Sequence, residues 1–188
     1  PDWTPPPAWQ RWRCGVAQAA AIPVLVALRM AQWLAPFFTY HFFTGAPDDS
    51  IPFAVSMSVL MFMLATVLEF AIAIAAKWLD ARRLVPGRYP LWGSVYFRWW
   101  LVDRLIDAAP TYLISGASLH AWWWRALGAR IGDDVMIGSI KLRAPDLFTA
   151  GDCASIGNAV SFENARVEHG QLVLGQIDIG ANGHVGSY

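Results

Sequence analysis

The chain has 188 residues, of which 56% are hydrophobic and only 15% are charged, and its formal net charge is zero. Soluble domains average about 25% charged residues, so the composition argues against an ordinary soluble domain. The missing basic surplus argues against nucleic-acid binding. Cys14 and Cys153 lie far apart and match neither a disulfide framework nor a metal site. Because the chain begins at Pro1 rather than Met, we expect it to be a piece of something longer.

Two long apolar runs follow a Pro-rich stretch, residues 1–13, which we interpret as a stiff linker. The first run, residues 16–43, has only Arg29 and His41 as ionisable side chains, and the second, residues 51–76, has only Glu69. Each run exceeds the roughly 20 residues that a helix needs to cross a bilayer core. The sequence therefore predicts a transmembrane helical hairpin over residues 14–79. Two buried helices of a soluble domain are the alternative.

Basic residues lie at the two ends of this hairpin, whereas the loop between the helices has acidic residues and no Lys or Arg. They are Arg11 and Arg13 before the first helix and Lys77, Arg82, Arg83 and Arg88 after the second, against Asp48 and Asp49 in the loop. Basic flanks stay cytoplasmic. We therefore expect a multi-pass protein of the inner or plasma membrane, with both ends of the chain in the cytoplasm.

Arg29 and Glu69 would lie at membrane depth, where charged side chains are costly and mark functional sites by default. A structural role is the alternative. The two could form an ion pair, or Arg29 could extend its side chain to the interface. We favour the structural role, because a transport site would carry more polar residues or broken helices.

Residues 80–128 are Trp-rich and predict interfacial helices. Apolar side chains recur with helical spacing over residues 92–106, and Pro110 would end that helix. A second helix is predicted for residues 118–127, with Ser118 as its N-cap. Trp favours the headgroup level of a membrane, so we expect both helices to lie in the interface. The same residues could instead form a packing layer between the hairpin and a soluble domain.

Residues 129–188 contain dipeptide steps in which an aliphatic or small residue is followed by Gly. These steps occur in pairs, and the two steps of a pair lie six residues apart. The steps are Ile131-Gly132 and Ile137-Gly138, Ala150-Gly151 and Ile156-Gly157, and Ile179-Gly180 and Val185-Gly186. The second pair follows the first by 19 residues, and Leu174-Gly175 follows Ile156 by 18, so each offset is interpreted as one three-sided coil. Stacked aliphatic corners would fill a narrow core, and Cys153 is expected there as a buried thiol. The pattern predicts a left-handed parallel β-helix of about three coils. It is incomplete, because the last coil would leave an unpaired edge.

The order of these motifs resembles one family. After the hairpin come "GRYPLWGSVYFRWWLVDRL", "LGARIGDDVMIGS", "APDL" and "IGNAVSFENARVEHGQLVLG". This order resembles the carboxy-terminal membrane region of the non-ribosomal peptide synthetases that make poly-amino acids (ε-poly-lysine synthetase-like). The resemblance covers the chain from the first helix to the end. It implies one membrane helix pair and the first part of one acyltransferase-like tandem domain.

The resemblance also implies a reaction and its partners. An amide bond would form between an aminoacyl thioester, held by phosphopantetheine on a separate carrier domain, and an amino acid or growing homopoly-amino acid. The segment itself would bind no cofactor. Its partners would be membrane lipid, the carrier and adenylation domains, further tandem domains and the amino-acid substrate, with homo-oligomerisation as a further option.

Amide formation needs a base that takes a proton from the amine, and donors for the oxyanion. His169 and His184 are the histidines of the repeat region, and each is a candidate catalytic base. Glu163, Asn164 and Glu168 are expected to cluster near one corner and to bind the amine or orient the base. The alternative for all five is a role as corner or surface residues.

Two other functions stay open at this point. The chain could be a stand-alone membrane hexapeptide acyltransferase that uses acyl-CoA, which a partner carrying a phosphopantetheine arm would argue against. It could also be a non-catalytic scaffold or anchor, which an accessible His or Glu cleft would argue against.

Overall fold

The chain begins with two long helices that pack side by side as a hairpin. In this computed structural model, which describes residues 6–46, 48–81 and 83–187, α1 spans Ala8–Phe42 and α2 spans Ile51–Ala76. Both are long and apolar enough to cross a membrane by length and composition. Only 6% and 17% of their most apolar stretches are buried within the chain. The core helix of a soluble protein would be mostly buried, so the soluble alternative fits these helices poorly.

A π-helical turn, Lys77–Ala81, continues α2, and a mixed segment follows it. This segment comprises strand β1 (Gly87–Pro90), helix α3 (Ser94–Ala108), a 3-10 turn (Thr111–Leu113) and helix α4 (Ser118–Ala126). The two helices confirm the spacing in the sequence. The predicted cap of α4 is wrong, because Ala117 is the N-cap and Ser118 is already the first helical residue, with no side-chain cap hydrogen bond.

In the described residues after α4, ten short strands follow, with a 3-10 turn (Pro145–Leu147) between the third and the fourth of them. They are β2 (Arg130–Ile131), β3 (Met136–Ile137), β4 (Ile140–Leu142), β5 (Phe148–Ala150), β6 (Ser155–Ile156), β7 (Val160–Phe162), β8 (Ala165–Glu168), β9 (Gln171–Leu174), β10 (Ile177–Ile179) and β11 (His184–Val185). Three sheets are parallel, with strand orders β10-β5-β2, β11-β6-β3 and β4-β7, and one is antiparallel, β1-β9-β8. Within the described ranges, none of these sheets closes into a barrel.

The parallel sheets stack the steps that the sequence pattern singled out. Ile131 pairs with Ala150, and Ala150 with Ile179. In the next sheet the same relation joins residues 137, 156 and 185. At Gly132, Gly138, Gly151 and Gly157 the backbone of the next strand or turn comes very close, which favours glycine there. A Cβ on Gly151 would lie 2.6 Å from Ala181 N, closer than a real Cβ contact.

The prediction that Leu174-Gly175 belongs to a stacked coil is wrong. Leu174 lies in β9, which pairs antiparallel with β8 and β1 rather than stacking in a parallel sheet. Residues 165–174 form a hairpin that leaves the parallel stack, so 29 residues separate Ala150 from its partner Ile179. The hairpin turns at His169 and Gly170, which both have left-handed φ values, 47° and 71°.

The expected buried thiol of Cys153 is also wrong. Cys153 is exposed and has a φ of 56° in the turn between β5 and β6. The neighbouring Ala154 enters the core instead. The left-handed backbone at Cys153 moves the inward position by one residue, which spacing along the chain does not reveal.

Three tryptophans form a buried layer between the hairpin and the strands. Trp123 and Trp124 of α4 lie in a core that also contains Ala73, Ile137 and other residues of α2, α3 and the parallel strands. Trp99 of α3 lies in a second core with the residues of the β8–β9 hairpin. These side chains match the packing-layer alternative, whereas other tryptophans of the chain are exposed. An interfacial location of residues 80–128 stays a prediction.

Candidate functional sites

The two candidate bases lie on different parts of the strand region. His169 is exposed at the tip of the β8–β9 hairpin, beside Glu168, whose carboxylate forms an ion pair of 2.7 Å with the Nε of Arg166. His184 is exposed on β11, in register with Ser155 of the same parallel sheet. Side chains alternate between the two faces of a strand. Since Val185 packs against the core, His184 faces outward.

Asn164 is held by the backbone of a neighbouring segment. Its side chain is 2% exposed, its Oδ1 accepts a hydrogen bond from Ala144 N at 3.1 Å, and its Nδ2 donates to Ala144 O at 2.6 Å. Its own carbonyl accepts from Gly175 N at 2.9 Å. Glu163 beside it is exposed. Asn164 thus fastens the base of the hairpin, and the bonds to Ala144 occupy its amide group.

The five candidate residues form two neighbouring pairs and one separate residue. Glu163 and Asn164 lie at the base of the hairpin, and Glu168 and His169 lie at its tip. Asn164 and Glu168 are four positions apart along β8, which corresponds to about 13 Å of extended chain. His184 belongs to another sheet. No single cleft joins all five in this arrangement.

A chain of polar side chains joins the 3-10 turn after α3 to α1 and α2. Tyr112 Oη donates to Gln32 Oε1 at 3.0 Å, and Gln32 Nε2 donates to Thr66 Oγ1 at 2.8 Å. Glu69, one helical turn beyond Thr66, is buried, and its Oε1 has no hydrogen-bond partner among the described residues. Sequence reasoning noted Glu69 but missed Gln32, a polar residue inside an apolar run that a closer search for such residues finds.

The ion pair between Arg29 and Glu69, one of the two structural roles considered for them, is not among the ion pairs of the described residues. Arg29 is exposed and lines a cavity of about 200 Å³ with Arg104 and Asp107 of α3. Arg104 pairs there with Asp107 at 3.3 Å and with Asp103 at 2.5 Å. Burial is the largest influence on the Asp103 carboxyl and raises its pKa. The two side chains do not meet because they lie on different faces of their helices. Arg29 faces α3, whereas Glu69 faces the interior of the hairpin.

His120 is buried in α4. Its Nδ1 lies 3.3 Å from Ile137 O, and its Nε2 has no partner in the part of the chain that the structure describes. Desolvation lowers the pKa of this imidazole. The residue therefore favours the neutral form and joins α4 to β3. His41 is exposed near the end of α1.

A larger cavity lies where the end of the hairpin meets the strands. Its volume is about 450 Å³, and three arginines from three parts of the chain line it. Arg83 lies between the π-helical turn and β1, Arg125 lies in α4 and Arg130 lies in β2. Trp78 and Leu84 contribute apolar wall. We refer to this site as the arginine cavity.

A buried ion pair forms one side of the arginine cavity. Lys77 Nζ lies 2.8 Å from Asp146 Oδ2, and the side chains of both residues are almost fully buried. The same carboxylate oxygen accepts a hydrogen bond from Leu84 N at 3.0 Å. Trp78 Nε1 donates to Ala126 O at 2.8 Å. These contacts tie the end of α2 to α4 and to the strands. Sequence reasoning placed Lys77 only as a cytoplasmic flank, since nothing in the sequence links it to a residue 69 positions away.

No group of three or more His, Cys, Asp or Glu residues is placed to hold a metal ion within residues 6–46, 48–81 and 83–187.

Comparison with known proteins gives one close sequence similarity. No protein-family model and no solved structure matches the chain. A protein named delta-poly-L-ornithine synthetase, from Acinetobacter baumannii (strain AB307-0294), is 50% identical to it over 178 residues. These residues are 95% of this chain and 13% of that relative, so the chain spans about an eighth of the relative's length. The chain is therefore similar, over nearly all of its own length, to one stretch of a poly-amino-acid synthetase.

Proposed function

We propose that the chain is a membrane-anchored module of a non-ribosomal peptide synthetase that makes a poly-amino acid. The observation that carries this proposal is the 50% identity to a poly-ornithine synthetase across 95% of the chain. The module would catalyse or support amide-bond formation between a carrier-bound aminoacyl thioester and an amino acid or growing chain. The carrier domain, its phosphopantetheine, the adenylation domain and further tandem domains would lie outside residues 1–188.

The strand region would be an acyltransferase-like left-handed parallel β-helix, built from hexapeptide repeats over residues 129–188. Three parallel sheets with matching register support this proposal. Close backbone approach at the glycines supports it as well. A Cβ on Gly132 would lie 2.7 Å from Asp152 N, and one on Gly157 would lie 2.7 Å from Ser187 N. The β8–β9 hairpin would be an insertion between two coils.

The hairpin would hold the reaction at the cytoplasmic face of the inner or plasma membrane. Two apolar helices that expose most of their surface support an anchor. The positions of the basic residues support both ends of the hairpin in the cytoplasm. The polymer could then be formed beside the bilayer that it must leave.

His184 is the base that we propose first, and His169 the second. In the reaction, the amine nitrogen attacks the thioester carbonyl, a C–N bond forms, the C–S bond breaks, and the imidazole carries a proton from the amine to the leaving thiolate. A base must be accessible to a substrate delivered on a long arm. Both imidazoles are exposed. His184 also lies on a short strand held in a sheet, which positions it better than the tip of a hairpin.

The test uses the complete polypeptide in nanodiscs. Its carrier is loaded with a radiolabelled aminoacyl thioester, beginning with L-ornithine, and peptide product is counted after free amino acid is added. Loss of a general base lowers rates by about 10²–10⁴-fold. We expect that loss for His184→Ala, with unchanged thioester loading. His41→Ala is the matched control, because His41 is also exposed but lies near the hairpin loop.

Unchanged product in a double His169→Ala, His184→Ala variant would exclude both histidines as bases. The module would then be a scaffold or anchor. Two observations favour that second candidate function. The five candidate residues do not share one cleft, and Asn164 is already bonded to the backbone.

A further inference from the structure

We infer that the arginine cavity binds the phosphate headgroup of an anionic phospholipid. This inference rests on the proposed membrane anchoring but not on amide-bond formation. It assigns a ligand to a cavity that neither the reaction nor the candidate bases use.

The cavity has a surplus of positive charge. Arg83, Arg125 and Arg130 line it, and the one carboxylate of its lining, Asp146, is already paired with Lys77. A second carboxylate, Asp178, lies in register with Thr149 on the side of β5 opposite Arg130. Asp178 accepts two hydrogen bonds from Gln176 Nε2, at 2.9 and 3.0 Å. One carboxylate cannot offset three guanidinium groups, so the cavity attracts an anion.

One guanidinium group is fixed in place before any ligand binds. Arg125 Nε donates to Ile131 O at 2.9 Å, and its Nη2 donates to Gly132 O. These two bonds hold the planar guanidinium group in place, and its Nη1 donates to neither of the two carbonyls. A fixed guanidinium donates to phosphate oxygens with good geometry and loses little freedom on binding.

The position of the cavity points to a lipid rather than to a free phosphate. Trp78, on its wall, lies in the last turn of the second candidate membrane helix, Ile51–Leu79. Trp at the end of a membrane helix marks the headgroup level. Leu79 and Val85 beside it are exposed apolar side chains that acyl chains and glycerol would cover. A ligand with a phosphate beside an apolar body matches this combination, and about 450 Å³ accommodates a headgroup.

The test measures hydrogen–deuterium exchange of the complete polypeptide in detergent. Short-chain phosphatidylglycerol is titrated, and protection is followed in peptides that cover residues 83–86 and 125–130. Parallel arms use short-chain phosphatidylcholine, inorganic phosphate and 4′-phosphopantetheine. We expect phosphatidylglycerol to protect both peptides at the lowest concentration. Equal protection by phosphatidylcholine, or stronger protection by either free phosphate compound, would overturn the assignment to an anionic lipid.

Variants test whether the arginines cause the protection. Each basic residue near an anionic lipid surface is worth about fivefold in affinity, so Arg83→Gln with Arg130→Gln raises the half-protection concentration about 30-fold. The matched control is Arg88→Gln with Arg166→Gln, which removes the same charge from exposed positions outside the cavity. Asp178→Asn removes the opposing charge and should tighten binding.

The same phosphatidylglycerol titration curve for the double variant and its control would refute the site. Because these arginines are exposed, the variants retain the fold, which unchanged exchange elsewhere in the chain confirms. The readout does not involve peptide product. Failure of the peptide-forming assay therefore does not contradict the lipid site, and failure of the lipid titration does not contradict the proposed reaction.

Discussion

Gly151 offers a direct test of how the parallel strands stack. Replacing it by Ala adds a Cβ that would lie 2.6 Å from Ala181 N, 2.9 Å from Ala181 Cα and 3.0 Å from Gly180 C. All three atoms belong to backbone, which cannot rotate away as a side chain would. Gly180 is the matched control, because a Cβ there meets no atom within 4 Å. Neither glycine has a left-handed φ, so backbone strain does not distinguish them.

The expected size of the effect follows from this overlap. Overpacking a tight interior typically costs about 1–3 kcal/mol. The local free energy of opening for the stacked strands should fall by that amount in Gly151→Ala. Amide exchange that proceeds through local opening would then become about 5- to 150-fold faster. Gly180→Ala should leave exchange unchanged or slow it slightly, since Ala reduces the freedom of the unfolded chain by about 0.4–1 kcal/mol.

The assay is hydrogen–deuterium exchange of the complete polypeptide, followed in peptides that cover residues 148–157 and 177–187. The amides of Gly151 and Asn182 report on the contact, because they bond to Ile179 O at 2.9 Å and to Asp152 O at 2.8 Å. Equal exchange in the two variants would refute the reasoning, since it would mean that the turn after Gly180 does not lie against Gly151.

Three further predictions concern buried polar groups. Asn164→Ala leaves the buried N–H of Ala144 unpaired at about 1–3 kcal/mol, while Ala144 O keeps the hydrogen bond from Leu147 N. Faster exchange of the Ala144 amide measures the loss. Asp146→Ala removes a carboxylate that pairs with buried Lys77 and costs about 3–5 kcal/mol. Lys77→Met combined with Asp146→Leu removes both charges and costs less, mainly the lost hydrogen bond from Leu84 N to Asp146. Limited proteolysis at residues 77–86 compares the two variants. His120 has a lowered pKa in the folded chain because of burial, so the unfolded chain binds more protons below its ordinary pKa of 6.5. The stability that His120 contributes is thus present above pH 6.5 and is lost as the pH falls below it, and His120→Gln should abolish that part of the pH dependence of proteolysis.

Local patterns in the sequence predicted much of the fold. The bounds of α2 agree with the apolar run 51–76, because the charged residue Lys77 follows that run directly. The stacked pairs at residues 131, 150 and 179 were visible as small or aliphatic residues before Gly. Both patterns are formed by residues that lie close together in the sequence, so they could be recognised without the structure.

Contacts between distant segments could not be predicted in the same way. The β8–β9 hairpin looks like a further coil by spacing, and only its pairing with β1 shows that it leaves the stack. Lys77 and Asp146 meet because α2 ends against the strands, a relation that no local pattern encodes. The candidate residues were chosen by chemical type, so their separation into two pairs and His184 followed only from the three-dimensional arrangement.

The most direct test of the central claim is an exchange of segments. Residues 1–188 are deleted from the complete polypeptide, or are replaced by the matching stretch of the poly-ornithine synthetase that is 50% identical. Peptide product is then measured in nanodiscs together with thioester loading of the carrier. We expect that deletion abolishes product while loading persists, and that the replacement restores product. Unchanged product after deletion would contradict it.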